Sequence, residues 1–281
     1  LERQARLGPD AWSPGGDYED NRQCLLAILR SGLAVRVDDV GGSLQHANFL
    51  ARTRPLDPGL SPQRVIVTSA NLTPGNLNRH FNWLAEIDDA TTADALRQLF
   101  AAVRSGDFRV PGPSRHDVVD GIELVYGADN QVLEVLAGRL AEARSSVRLA
   151  VCNISTSSSL VETLVAHAAA GISVDGVVDA DQGGQFWDAV PRLRSAGAGV
   201  RYYPGLATGA VGRMHYKVAV IDDRFVYLGT ANLSQSAERA LEIALFFDAA
   251  RVAGGDDLVA AVQAEIDRLD GNARDRPPSP A

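Results

Sequence analysis

A segment from the first third of this chain recurs near its C-terminal end, and that duplication narrows the fold more than any other feature of the sequence. LRSGLAVRV (29–37) corresponds to LRSAGAGVRY (193–202), in each case a helix end running into a strand. His46, in QHANFL, stands ten residues past Arg36, and His215, in MHYKVAV, stands fourteen past Arg201. TSANL (68–72) then corresponds to GTANL (229–233), followed in each copy by an apolar strand (WLAEI, 83–87; LEIALFF, 241–247) and a helix (92–104; 255–270). Two copies of one α/β unit are the economical reading. They are unequal: His46 and His215 lie 169 positions apart, so the counterpart of the strand starting at Ile122 would fall before Leu1. The first unit is therefore expected to lack its front part. The chain opens at Leu1 without an initiator methionine or a charged-then-apolar leader, the look of a processed or trimmed polypeptide, and localisation stays unread.

From Ile122 onward short β-branched runs alternate with amphipathic stretches. IELVY (122–126), SVRLAVCNI (146–154), ISVDGVVD (172–179) and GVRYY (199–203) read as strands, separated by helices over 129–144, 157–170 and near 184–196. Such alternation implies crossover connections and a mainly parallel sheet covered on both faces. HYKVAVID and RFVYLG then read as two strands joined by Asp222-Asp223, with a strand at 241–248 and a last helix at 255–270. Residues 105–120 are rich in turn formers. The expected organisation is a first unit over 1–110, a linker over 111–121, a second unit over 122–270 and a disordered tail over 271–281.

Composition removes several function classes. With 46% hydrophobic and 22% charged residues the chain is an ordinary globular sequence, and no apolar run approaches the ~20 residues of a membrane-spanning helix. Cys24 and Cys152 sit in apolar stretches, where packing is the expected role. The net charge of -8 is the wrong sign for a non-specific grip on long nucleic acid, although a local basic groove stays open. Twenty-six of the 27 basic residues are arginine, so Lys217, the one lysine, asks for a chemical reason.

His215 and Lys217 are two apart on a predicted strand and project to the same side. An imidazole can attack phosphorus or carry a proton, and a neighbouring ammonium can hold a phosphate oxygen. Thr230 and Asn232 can donate further hydrogen bonds to the same oxyanion. Asp222 ends the strand with a carboxylate, and Gly229 suits a close approach of backbone.

The unbroken pattern H-x-K-x4-D-x6-G-[ST]-x-N over 215–232 resembles the signature of the phospholipase D superfamily. The resemblance covers about 20–270. It implies an α/β fold of two pseudo-symmetric units, each a mixed, mainly parallel sheet flanked by helices, with one shared site. It implies phosphodiester cleavage through a covalent phosphohistidine, one histidine attacking while the other protonates the leaving oxygen. It also implies that Glu242, ten residues after Asn232, orients a catalytic histidine. Catalytic roles are thus expected for His215, Lys217, His46, Asp222 and Glu242, and phosphate contacts for Thr230, Asn232, Ser69, Asn71 and Asn48. No cofactor and no metal is expected, since carboxylates, cysteines and histidines are not clustered at ligand spacing.

The first copy departs from the pattern. His46, Ser69 and Asn71 are kept, but Asn48 stands at the lysine position, Thr53 at the aspartate position and Thr68 at the position of Gly229. An amide donates hydrogen bonds without replacing the lost charge, and Arg52, Arg54, Arg64 and Arg79 are the nearby candidates to compensate. His80, His116 and His167 read as structural, and Asp256-Asp257 as helix N-terminal charge. The leading expectation is a phosphodiesterase hydrolysing or transferring a phospholipid head group. A nuclease or nucleic-acid end-processing enzyme is the alternative, and the broken first motif leaves a phosphoryl-binding pseudoenzyme as the third. The expected partner is a phosphodiester substrate, phospholipid before nucleic acid, with peripheral membrane contact and a two-unit monomer.

Overall fold

The eight-stranded sheet that carries Lys217 is built by alternating apolar strands, which lose their edges to neighbours and both faces to helices. The computed structural model describes residues 23, 26–28, 30–32, 46–51, 63–71, 73–106, 115–183, 189–204 and 212–276. In chain order these form β1 (Phe49–Ala51), β2 (Arg64–Thr68), α1 (Pro74–Asn78), β3 (Leu84–Asp88), α2 (Ala90–Ser105), β4 (Arg115–Val119), β5 (Ile122–Gly127) and α3 (Gln131–Ala141). There follow β6 (Ser146–Val151), α4 (Ser159–Ala169), β7 (Ser173–Asp179), α5 (Ala180–Gly183), α6 (Ala189–Ser195), β8 (Gly199–Tyr203), β9 (Lys217–Ile221), β10 (Phe225–Gly229), β11 (Glu242–Asp248) and α7 (Gly255–Asp270). The duplicated helix over 92–104 is α2, capped by the Asp89 carboxylate on the Thr92 N–H at 2.6 Å and closed by Gly106 at φ 91°.

The large sheet runs β4-β5-β11-β10-β9-β6-β7-β8, and the described part of the first unit forms a separate sheet, β1-β2-β3. The architecture is mixed α/β, with a large mixed sheet flanked by helices and no closed barrel among the described residues. The expected parallel majority is corrected. Among the described strands of the large sheet, β6–β7 and β7–β8 pair in parallel, where helices make the crossovers, and the other pairings are antiparallel. The three-stranded sheet is antiparallel throughout. The physical reason is short connections: β9 and β10 are joined by a tight turn in which Asp222 and Asp223 both take positive φ, and such a hairpin cannot return in parallel.

The two ends of the expected linker and tail also differ from the reading. Arg115–Val119 is strand β4, paired with β5 at the sheet edge. Residues 271–276 are held by the opposite edge: Tyr202 and Arg274 exchange both backbone hydrogen bonds at 2.9 and 2.7 Å. Unpaired edge groups of β8 explain why chain expected to be loose is docked there. Residues 107–114 and 277–281 lie outside the described residues, as do Cys24 and Thr53. Cys152 is a buried free thiol.

One face of the large sheet packs against α3, α4 and α6 through Leu133, Leu136, Leu140, Leu160, Leu164 and Leu193. The other face shares a core with the first unit, where Val65, Val67, Trp83, Leu96 and Leu99 meet Leu124, Val218, Val220, Val226 and Leu245. At about 1.5–3 kcal/mol for each large apolar side chain removed from water, this common core fixes how the two units face each other. The site lies along that junction. No helix among the described residues is long and apolar enough to cross a membrane.

Candidate functional site

Two backbone crossings between the units set the geometry. The N–H of His46 donates to the Leu241 carbonyl at 3.0 Å, and the N–H of His215 donates to the Phe81 carbonyl at 3.0 Å. The residue after each acceptor then faces the histidine. Glu242 follows Leu241, and its carboxylate accepts from Nδ1 of His46 at 2.9 and 3.0 Å. Asn82 follows Phe81, and its Oδ1 lies 2.9 Å from Nδ1 of His215. Each histidine is thus oriented by the opposite unit.

The mirror continues outward. The Thr230 hydroxyl donates to Glu242 at 2.5 Å, the Thr230 N–H donates to the Ile243 carbonyl, and the Ile243 N–H donates back to the Thr230 hydroxyl. In the first unit the Ser69 hydroxyl donates to Asn82 at 3.0 Å, the Ser69 N–H to the Trp83 carbonyl, and the Trp83 N–H to the Ser69 hydroxyl. The Asn82 amide nitrogen donates to the carbonyls of Asn76 and His80, so its oxygen is the atom turned to His215. With Nδ1–H committed on both rings, each Nε2 keeps its lone pair.

Asn82 was not legible in the repeat. Glu242 comes ten residues after Asn232, but ten residues after Asn71 is Phe81, and the structural counterpart Asn82 is one position later. The first copy also carries an amide there, so a search for a second carboxylate finds nothing.

Lys217 is fully buried, among the largest side chains of the core to be so. Its Nζ donates to the His215 carbonyl at 3.1 Å and stands 3.2 and 3.1 Å from Nδ1 and Nε2 of His215. Near-equal distances to both ring nitrogens place the ammonium over the imidazole and out of its plane. Burial depresses the Lys217 pKa, against the opposing pull of Cys152, Glu242 and Asp179. His215 is pushed down to about 2, first by burial and then by the charges of Lys217, His46 and His80. Both causes favour the neutral imidazole of a half-buried His215 in an electropositive setting.

The remaining candidates divide. Asn232 Oδ1 accepts from the Asn153 N–H at 3.2 Å, and Asn48 donates to Asn71 Oδ1 at 3.3 Å, which ties the two amides of the first copy together. Gly229 is required where it stands, because a Cβ there would collide with the Tyr227 hydroxyl. Its carbonyl accepts from the Trp83 indole at 3.0 Å, another tie between the units.

Asp222 as a catalytic residue is corrected. It lies at the far end of β9 from Lys217, about 16 Å along an extended strand. There its carboxylate accepts from the N–H groups of Arg144, Ser145 and Ser146 and from the Ser145 hydroxyl, at 2.8–3.1 Å. Against the upward push of partial burial, these bonds hold its pKa down to about 2. The residue anchors a turn. Of the arginines proposed to replace the missing first-copy lysine, Arg64 pairs with Glu86 at 2.7 Å and Arg79 is exposed, while Arg52 and Arg54 lie outside the described residues. His167 is structural as expected, its Nε2 2.6 Å from the Leu140 carbonyl. His80 lies beside the site, its ring centroid 6.2 Å from that of His215. No group of three or more histidine, cysteine or acidic side chains that could hold a metal occurs among the described residues.

Two imidazoles, each oriented through Nδ1 by the opposite unit, beside a buried ammonium suit a phosphodiester. Residues 136–269 match the family described as "Cardiolipin synthase, PLD-like domain". Over that segment the chain matches the phospholipase D superfamily. The phosphatidylserine synthase of Haemophilus influenzae Rd KW20 superposes with a TM-score of 0.54 at 15% identity, covering 75% of this chain and 60% of that one. The polyphosphate kinase of Porphyromonas gingivalis superposes with a TM-score of 0.55 at 16% identity, over 87% of this chain and 37% of the kinase. Nuc from Salmonella typhimurium, a phospholipase D family member, gives a TM-score of 0.48 at 17% identity, over 57% of this chain and all of Nuc. The likenesses to the synthase and the kinase are of fold. Comparison with curated protein sequences gave no match. Superfamily members are phosphodiester-processing enzymes, and the matched segment contains the whole of the second motif.

Proposed function

We propose that this superfamily member transfers or hydrolyses the head group of a phospholipid through a phosphohistidine, in a site shared by the two units. The observation that carries the reading is the mirrored pair of histidines with unequal partners, a carboxylate on His46 and an amide on His215. A carboxylate behind Nδ1 makes His46 the stronger nucleophile, while His215 is the acid and base. The Nε2 lone pair of His46 attacks phosphorus, the bond to the leaving oxygen breaks, and that oxygen takes a proton from Nε2 of His215. His215 can hold that proton because the bound phosphate's negative charge offsets the field of Lys217 and raises the His215 pKa. Water or an alcohol then attacks phosphorus, gives its proton to His215, and the phosphorus–nitrogen bond breaks to free His46. The family description names a phospholipid product, and the net charge of -8 disfavours long nucleic acid, which supports a lipid head group.

The test is a substrate panel of phosphatidylglycerol, phosphatidylcholine, a bis-aryl phosphodiester and single-stranded DNA, run in EDTA. Turnover of a phospholipid in EDTA is expected, with a radiolabelled protein adduct that disappears in His46→Ala. Turnover of DNA alone would overturn the lipid reading, and an adduct that survives His46→Ala would reverse the roles of the histidines.

A further inference from the structure

His80 and Arg213 flank the catalytic face of the unit junction without a part in the chemistry above. Phe81 and Met214 form a parallel bridge, in which the Phe81 N–H donates to the Arg213 carbonyl at 2.9 Å and the His215 N–H to that of Phe81 at 3.0 Å. Met214 is fully buried, and the Phe81 ring packs edge-on against Tyr203 at 5.8 Å. In a pleated pairing the residues before and after a bridged pair turn to the opposite side. His80, Asn82, Arg213 and His215 therefore project together, and the Asn82–His215 hydrogen bond shows that this side is the site. The backbones cross tightly here, since a Cβ on Gly212 would strike the Arg79 carbonyl.

Two polar atoms in this corner lack partners among the described residues: Nδ1 of His80 and Nε of Arg213, both buried. Leaving such groups unpaired is costly unless a ligand completes them. The nearest carboxylate to Arg213 is that of Asp181 at 3.8 Å, beyond hydrogen-bond distance. Burial, then the charges of Arg213 and Lys217, lower the pKa of His80, so the corner is positive even with His80 neutral. A neutral imidazole with its proton on Nδ1 still donates a hydrogen bond, and a guanidinium donates several.

We propose that His80 and Arg213 form a second phosphoryl subsite next to the scissile phosphate, fitted to a diphosphate ester. The 6.2 Å between the rings of His80 and His215 lets one diphosphate touch both. The inference rests on the phosphodiester reading of the site and narrows its substrate to one whose reacting phosphorus carries, or adjoins, another charged phosphoryl group.

Calorimetric binding to the intact protein separates the two readings, because it needs no turnover. The ligands are inorganic phosphate, inorganic pyrophosphate and a dithymidine dinucleotide bearing a 5′-phosphate. Pyrophosphate is expected to bind at least ~10-fold more tightly than phosphate, the worth of one added charge-assisted contact. In His80→Gln and in Arg213→Gln that ratio should fall towards one, with unfolding midpoints compared to show that the variants are folded. Equal affinity for phosphate and pyrophosphate in the parent protein overturns the subsite and leaves the phosphodiester reading standing. An advantage confined to the dinucleotide, whose phosphates stand a nucleotide apart, overturns the diphosphate assignment. Failure of all three to bind removes both readings.

Discussion

At the residue scale, the proposed chemistry rests on what stands behind each ring. Asn82 offers His215 a neutral oxygen where Glu242 offers His46 a charged one. Asn82→Asp should therefore favour the imidazolium and move the titration of His215 upward from about 2, a change that NMR of the ring nitrogens would read directly. Asn82→Ala should cost roughly 10- to 100-fold in kcat by releasing the ring's tautomer, with little change in KM. Lys217 presents the opposite problem, a fully buried ammonium with no carboxylate in ion-pair range among the described residues. Its pKa is lowered from 10.5, so the unfolded chain binds this proton more readily than the native one. That penalty is fully present below the native pKa and fades as pH rises towards 10.5. Lys217→Met should accordingly abolish turnover while stabilising the fold by about 1–3 kcal/mol at pH 7. Denaturant unfolding should show the gain shrinking near pH 10, and a lower midpoint for the variant would mean that the ammonium is compensated in the native state.

At the scale of elements, the β9–β10 hairpin shows how a motif residue can be structural. Two consecutive residues at positive φ make its turn, and Asp222 uses that geometry to cap the segment leading into β6. Removing several charge-assisted bonds at once should make Asp222→Ala about 2–3 kcal/mol less stable at pH 7. The Asp222 carboxyl is held below its ordinary 3.8, so its contribution is present above that value and is lost as pH falls through about 2. Parent and variant unfolding curves should therefore converge in strong acid. Because the site is one strand-length away, kcat of the folded variant should be nearly unchanged.

For the whole molecule, the proposed function depends on the two sheets sharing one core. Trp83 packs in that core and donates its indole N–H to the Gly229 carbonyl across the junction. Trp83→Phe should lower stability by about 1–3 kcal/mol, reflecting one buried carbonyl left unpaired and lost packing, while unfolding stays a single transition. The first unit's missing ammonium acts at this scale too, since Asn48 and Lys217 occupy corresponding places in the two halves. Asn48→Lys should raise kcat/KM on a bis-aryl phosphodiester by roughly ten- to a hundredfold if the added charge acts on the transition state. His46→Ala should erase that gain, and a rate indifferent to both changes would mean that the first unit takes no part in the chemistry.

The local pattern determined the elements of the second unit closely: the strands Gly199–Tyr203 and Glu242–Asp248, the latter expected from 241, and the helix Gly255–Asp270 follow from apolar periodicity and turn residues, which are properties of neighbouring positions. It also determined that His46, His215, Ser69 and Thr230 belong to one repeated device. What pairs with what was decided only by tertiary structure. The direction of β9, β10 and β11 against β6 depends on where a tight turn sends the chain, and an alternating run of valines reads alike in either direction. Likewise the spacing from Lys217 to Asp222 makes them look like partners, whereas a five-residue strand holds them apart. Asn82 and His215 are 133 positions apart, yet a hydrogen bond joins them. Only the shared core, by pressing one unit's sheet against the other's, brings an unremarkable amide to the nitrogen that it orients.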